Sequence, residues 1–208
     1  MKTIIIILLT TFVIIGCAKD TDLIIKNRTN HDLFYSINDG ETVVLSGQKT
    51  NSYNFKLGKQ YMLNEPNKVL KLMIEGQTYQ LPYGYNGTEI TLKPDKNYKI
   101  FIWPTHAMFE VHNESDISIF AVKYFQNYIN NIIPSGNLLE PGTRLNFGDS
   151  QWFRIPANIN TTSEDKMFYY TFQLIDIHDN VYYFGGEDLK MLKDDSYTIT
   201  LQNSDNDI

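Results

Sequence analysis

"LKLMIEGQTYQLPYGYNGTEITLKPDKNYKIFI", residues 70–102, returns in outline as "FQLIDIHDNVYYFGGEDLKMLKDDSYTITL", residues 172–201. Each copy passes from an apolar stretch through a loop rich in tyrosine and glycine. An Asp-containing turn, a tyrosine and an alternating strand close it. The alignment pairs Leu72 with Leu174, Tyr79 with Tyr182, Leu92 with Leu192 and Tyr98 with Tyr197. Upstream, "IIKNRTNHDLFYSI" (24–37) and "EVHNESDISIFAV" (110–122) share an apolar strand, Asn-x-Ser/Thr, an acidic turn and a second apolar strand. Repetition of all these elements in one order predicts two tandem modules, 22–103 and 108–202, with a linker at 104–107 and a tail at 203–208.

Both modules read as β. Apolar and polar residues alternate in Tyr53–Leu57, Ile117–Ile119 and Tyr197–Leu201, the two-residue period of a half-buried strand. Turn chemistry punctuates them at Asn38-Asp39-Gly40, Glu140-Pro141-Gly142 and Asp194-Asp195. Asp179-Asn180 reads as a two-residue hairpin turn. No stretch holds a 3.6-residue period over three turns; Phe125 to Ile133 is read as one short helix or an ordered loop. Seven or eight short strands per module predict an all-β chain of two small antiparallel β-sandwiches of immunoglobulin-like type. The Cys…Trp…Cys signature is absent, which leaves the strand order open.

The N-terminus has a separate logic. Met1-Lys2 supplies a positive charge, Thr3 to Ile15 is an uncharged apolar run of 13 residues, and Gly16 precedes the single cysteine, Cys17. A spanning helix needs about 20 apolar residues, so the run has the proportions of a signal-peptide core. A buried N-terminal strand is the alternative for a run so rich in isoleucine. Ile14-Ile15-Gly16-Cys17 resembles the lipobox of bacterial lipoproteins. The resemblance implies that residues 1–16 are a signal peptide and that Cys17 is lipidated and becomes the first residue. Residues 17–21 then form a short tether, and the partner is the lipid bilayer, reached through acylated Cys17. Two or more acyl chains hold a protein stably where one does not. The implied location is the cell envelope, with the outer membrane favoured over the inner. The second module also resembles small β-sandwich modules of bacterial exported proteins, through "LLEPGTRLNF", "FQLIDIHDNVYYF" and "DDSYTITL". That likeness implies architecture and no activity.

The chain carries 18 Lys and Arg against 24 Asp and Glu. Without a basic stripe, this composition argues against nucleic acid as a partner. His31, His106, His112 and His178 make no metal-binding spacing, and a lone cysteine completes no zinc site. Paired acids such as Glu187-Asp188 and Asp194-Asp195 point to opposite sides of an extended chain and read as turn residues, with calcium the minority reading. No nucleophile elbow or phosphate loop occurs. The expectation is therefore no cofactor, no metal, no catalytic residue and no enzyme. The Asn-x-Ser/Thr sequences at Asn27 and Asn113 are read as shared turn chemistry.

The candidate ligand-binding residues are aromatic. Tyr83 and Tyr85 border one Gly-rich loop, Tyr183 borders its counterpart, and Trp152 alternates with Arg154. Broad, rigid rings with a polar tip suit sugars or protein partners. Trp103 is expected to pack where the modules join. "FQNYINNIIPSGNLL" (125–139) has no counterpart in the first module and is a candidate partner-binding segment. The functional expectation is a non-catalytic envelope lipoprotein for adhesion, assembly or ligand binding to an envelope protein or glycan. Carbohydrate binding through the loop tyrosines comes second, and an envelope enzyme third.

Overall fold

A computed structural model describes residues 20–57, 68–82, 85, 87–158 and 167–203. Residues 1–16, read above as a signal peptide, lie outside the described residues, as do Cys17 and Tyr83. The described chain is all-β and divides into two compact units: residues up to Glu75 with Leu81–Trp103, and Gly76–Gln80 with Pro104 onward.

The first unit contains β1 (Asp20–Asn27), β2 (Leu33–Ile37), β3 (Val43–Leu45), β4 (Thr50–Lys56), β5 (Lys68–Gly76), β6 (Thr88–Leu92) and β7 (Asn97–Ile102). Its sheets are ordered β4-β1-β7 and β3-β2-β5-β6. The second contains β8 (Ala107–Asn113), β9 (Ile119–Tyr128), β10 (Asn131–Pro134), β11 (Ser150–Ile155), β12 (Tyr169–Asp176), β13 (Val181–Gly185) and β14 (Ser196–Leu201). Its sheets are ordered β11-β8-β14 and β10-β9-β12-β13. The two units thus share one topology, strand for strand. In each, the first strand pairs antiparallel with the fourth and parallel with the seventh. An immunoglobulin constant domain instead puts its first strand with the second, fifth and fourth. The strand order left open by the sequence is therefore a different one within the β-sandwich class.

The structural repeat corrects the alignment in two places. Tyr79 lies beyond β5, outside any strand, whereas Tyr182 lies in β13, so the two are not equivalent. The turns at Asp95 and Asp194, both at positive φ, make Leu92 of the first unit the equivalent of Met191 in the second. These two are buried, while Leu192 is 36% exposed. β1 begins at Asp20, two residues before the expected start of the first module.

Each unit is closed by the same polar clamp. Asn27 and Asn113 end the first strand of their units and are fully buried. Asn27 Nδ2 donates to His31 O (2.7 Å) and Leu45 O (2.9 Å), while its Oδ1 accepts from Thr29 N (2.8 Å). Asn113 Nδ2 donates to Ile117 O (2.8 Å) and Leu145 O (2.9 Å), and its Oδ1 accepts from Ser115 N (3.0 Å). One amide thereby ties the turn after the first strand to the segment before the fourth. The Asn-x-Ser/Thr pattern is this clamp: Thr29 and Ser115 hydroxyls donate back to the same carbonyls of His31 and Ile117.

The cores differ in character. Buried aliphatics such as Leu23, Ile25, Leu70, Leu72 and Leu92 dominate the first unit. An aromatic stack fills the second: Phe172 lies 4.3 Å from Phe109, 5.6 Å from Tyr170 and 5.6 Å from Tyr197 between ring centroids. Phe109 comes from one sheet and Phe172 from the other, so these rings join the two layers. Period-two alternation on β12 produces this, with Tyr170, Phe172, Leu174 and Asp176 all buried.

The segment expected as a short helix or ordered loop is a β-hairpin. β9 runs to Tyr128, turns at Ile129-Asn130, and returns as β10. Pro134 does not break the ladder, because Ser135 N donates to Tyr124 O at 2.8 Å. Alternation then sends the amides of 131, 133 and 135 inward, and the amide Pro134 lacks would have faced outward.

Candidate functional site

The hairpin and the outer face of its sheet form the most distinctive surface of the second unit. Asn137 and Ser135 fix the chain after β10 against the edge of β9. Asn137 Oδ1 accepts from Val122 N (3.0 Å), its Nδ2 donates to Phe120 O (3.1 Å), and Ser135 Oγ accepts from Tyr124 N (2.9 Å). Two side chains thus substitute for a strand's backbone, and the segment is held in one shape. From Tyr124 to Leu139 the sequence carries no charge. Ile129 is 67% exposed and Ile132 61%. With Tyr128, Asn130, Asn131 and Ile133, Ile129 lines an open recess of about 350 Å³.

Register extends this surface across the sheet. Ile132 is opposite Asn127 and Asn127 opposite Tyr169; Phe125 is opposite Thr171; Lys123 is opposite Gln173 and Gln173 opposite Tyr183. Residues opposite one another share a face, and this is the face turned away from Phe172. Tyr183 is 64% exposed, and Gln173 Nε2 donates to its hydroxyl at 3.0 Å. Asn127 Nδ2 donates to Thr171 Oγ1 at 3.1 Å. Lys123 is the one charged side chain among these strand residues. The edge itself is poorly suited to strand addition: of β10's outward-facing positions only Ile132 offers an amide, since Pro134 has none. What this face presents is side chains and not free backbone.

Of the aromatic residues singled out from the sequence, the two of the second unit do not converge. Tyr183 stands on the outer face just described. Trp152 lies on β11, opposite Glu110, on the outer face of the other sheet. Tyr85 belongs to the first unit and is 67% exposed. Of the residues that accompany Tyr183, Phe125 and Ile132 belong to the 125–139 segment singled out from the sequence as a candidate for partner binding, whereas Tyr169 escaped sequence reasoning. Only the pairing of β9 with β12 brings them together, although Tyr169 and Gln173 share parity along one strand.

Three acids of the second unit, Asp176, Asp194 and Asp195, are committed to structure. Asp176 is fully buried. Its Oδ1 accepts from His178 N (2.8 Å) and Asn180 N (3.0 Å), and its Oδ2 from Asn180 Nδ2 (2.9 Å) and Tyr182 OH (3.0 Å). This clamp makes the β12–β13 connection a four-residue turn, Ile177 to Asn180, instead of the expected two-residue one. Burial pushes the Asp176 carboxyl up, but the hydrogen bonds from Asn180, His178 and Tyr182 outweigh it, so the group titrates below the usual carboxylate value. His106 is held below the usual imidazole value by burial and by the positive charges of Arg154 and Lys193. Asp194 Oδ1 accepts from Thr78 Oγ1 and Asp195 Oδ2 from Leu192 N, so these acids shape turns. Among the described residues no group of three or more His, Cys, Asp or Glu could hold a metal ion.

Both shifts have a defined sign. His106 and Asp176 each have a folded pKa below the unfolded one, so each contributes stability above its unfolded value and loses it as pH falls through the folded value. Melting temperature should therefore begin to fall below about pH 6.5 and again below about pH 4. His106→Gln is expected to remove the first decline and Asp176→Asn to flatten the second. A series of thermal melts from pH 8 to pH 3 checks both; unchanged profiles in the variants would contradict these roles.

No protein-family model matches the chain, and no curated protein matches it in sequence. Structurally it is similar to a candidate cell adhesion protein from Bacteroides uniformis, with a TM-score of 0.35, 8% identity, and 89% of this chain and 93% of that one covered. It is also similar to the tip fimbrial protein Mfa3 from Porphyromonas gingivalis (TM-score 0.27, 11% identity, 81% and 83% covered). A third similarity is to the Bacillus anthracis TIE protein (TM-score 0.26, 10% identity), of which this chain spans one third while 88% of its own length is matched. Scores this low carry no functional weight. Fold and surface define the class: a two-unit β-sandwich protein with an exposed, uncharged hairpin.

Proposed function

We propose that this chain is a non-catalytic, lipid-anchored protein of the bacterial cell envelope whose second unit binds a partner protein in adhesion or assembly. The observation that carries the reading is the pinned β9–β10 hairpin, an exposed and uncharged isoleucine-rich surface held in one shape. Pre-organisation of this kind lowers the ordering cost of binding, and solvent-exposed apolar patches mark interaction sites. Tyr183, Phe125 and Tyr169 extend the surface with the aromatic character typical of binding hot spots. The carboxylates described above are spent on turns and clamps, which supports a binding role over a catalytic one.

The anchor rests on the lipobox-like Ile14-Ile15-Gly16-Cys17. Because β1 begins at Asp20, only Ala18 and Lys19 separate Cys17 from the first strand. Three residue steps reach about 10 Å, so lipidation at Cys17 holds the first unit at the bilayer surface. The outer membrane is the favoured location.

Two measurements test the reading. Metabolic labelling with a palmitate analogue should mark the wild-type protein and not Cys17→Ser; label retained in Cys17→Ser would refute the anchor. Crosslinking in intact cells should trap a partner with the wild type and lose it in Ile129→Asp/Ile132→Asp. Equal trapping by that folded double variant would place the interface elsewhere.

A further inference from the structure

The first unit carries a second, chemically different surface. β1 and β7 lie parallel, with Lys26 opposite Phe101 and Ile24 opposite Lys99 on the outer face of their sheet. Arg28 follows β1 and Trp103 follows β7. The Arg28 guanidinium carbon lies 5.3 Å from the centre of the Phe101 ring and 5.6 Å from that of Trp103. Trp103 is 61% exposed and Phe101 46%.

Two features of this cluster favour an anionic ligand; the Arg28 Nε, although it lacks a hydrogen-bond partner, is buried and out of such a ligand's reach. No ion pair joins Lys26, Arg28 or Lys99 to a carboxylate among the described residues. These cations share a face whose other end carries Asp20 and Asp22, in a chain whose net charge is −6, so the attraction for an anion is confined to the Arg28 end. Beside them, β4 presents Thr50 and Ser52 on the same face, opposite Lys26 and Ile24, and both are exposed.

We propose that Arg28, Phe101 and Trp103 form a binding site for a carboxylate-bearing polysaccharide. The guanidinium, fixed between two rings, offers a planar fork to a sugar carboxylate. Trp103 supplies an exposed face on which a pyranose ring stacks, and Lys26 and Lys99 neutralise neighbouring charges along the polymer. Thr50 and Ser52 supply hydroxyls for the sugar hydroxyls. The flat sheet face suits an extended polymer and not a small enclosed ligand. This site lies on the first unit and is independent of the hairpin surface.

The test uses the full-length protein in detergent, titrated with polygalacturonate at low salt and followed by Trp fluorescence and by sedimentation of the complex. Arg28→Gln and Trp103→Ala are each expected to weaken binding about tenfold, in the range a cation–π contact and one charged contact together supply. Lys71→Gln, which removes a positive charge elsewhere on the first unit, should bind as the wild type does. Circular dichroism establishes that each variant is folded, and exposed Trp103 serves should Arg28→Gln fail to fold. Neutral dextran should not bind. The proposal is overturned if the wild type does not bind polygalacturonate, or if polyglutamate or phosphatidylglycerol vesicles bind as tightly. Equal weakening by Lys71→Gln would likewise overturn it, because net charge alone would then explain the affinity.

Discussion

Asn113→Asp should unfold the second unit under conditions in which the wild type is stable, although the substitution changes one NH₂ group to oxygen. In the native clamp that NH₂ donates to Ile117 O and Leu145 O from a fully buried position. A carboxylate there faces two carbonyl oxygens with nothing to donate and no access to water. Loss of a buried hydrogen-bonded group costs about 1–3 kcal/mol, and more where a charge is involved. Asn113→Ala is therefore expected to cost about 2–3 kcal/mol and Asn113→Asp above about 3 kcal/mol. For a domain of this size, the latter lowers the melting temperature by at least about 10 °C. Each unit carries one tryptophan, Trp103 in the first and Trp152 in the second, so fluorescence of Trp152→Phe and Trp103→Phe backgrounds reports the units separately. Asn27→Asp should act on the first unit in the same way. A melting temperature within about 2 °C of wild type in either Asp variant would disprove the clamp.

Phe172→Ala is the second large effect. Phe172 is fully buried and touches the rings of Phe109, Tyr170 and Tyr197. Truncation removes the ring that joins the two sheets and leaves a cavity that neighbouring aromatic side chains fill poorly. Core Phe→Ala substitutions cost about 3–5 kcal/mol, which approaches the whole stability of a typical domain. Phe172→Leu keeps most of the volume and should cost about half as much or less. Urea denaturation measures both; a loss below about 1 kcal/mol for Phe172→Ala would show that the sheets are held together by other contacts.

The fold was legible where a local period or a repeated motif carried it. Alternation on Tyr169–Asp176 is visible in the sequence and is what buries Phe172. The paired Asn-x-Ser/Thr elements announced shared turn chemistry, and their clamps have matching partners in both units. Strand order was not legible, because it depends on β1 lying parallel to a strand some seventy residues away, and no local pattern encodes that pairing. The hairpin at 125–134 was misjudged for a related reason. Proline reads as a breaker, and only its register shows that its missing amide points away from the ladder. The candidate site suffered most. Tyr183, Tyr85 and Trp152 were grouped by composition, but Tyr183 and Trp152 stand on different sheets of the second unit and Tyr85 belongs to the first. Cys17 and Tyr83 stay with the sequence argument alone.

The buried asparagines also restrict where this protein can be made. Asn27-Arg28-Thr29 and Asn113-Glu114-Ser115 are acceptor sequences for N-linked glycans in secretory pathways that transfer them to the unfolded chain. A sugar on Nδ2 would occupy an atom that must donate two hydrogen bonds inside a site with no accessible surface. A chain modified there during translocation could not close either unit. The clamp that stabilises each sandwich is thus compatible only with a route of synthesis that leaves these asparagine side chains bare.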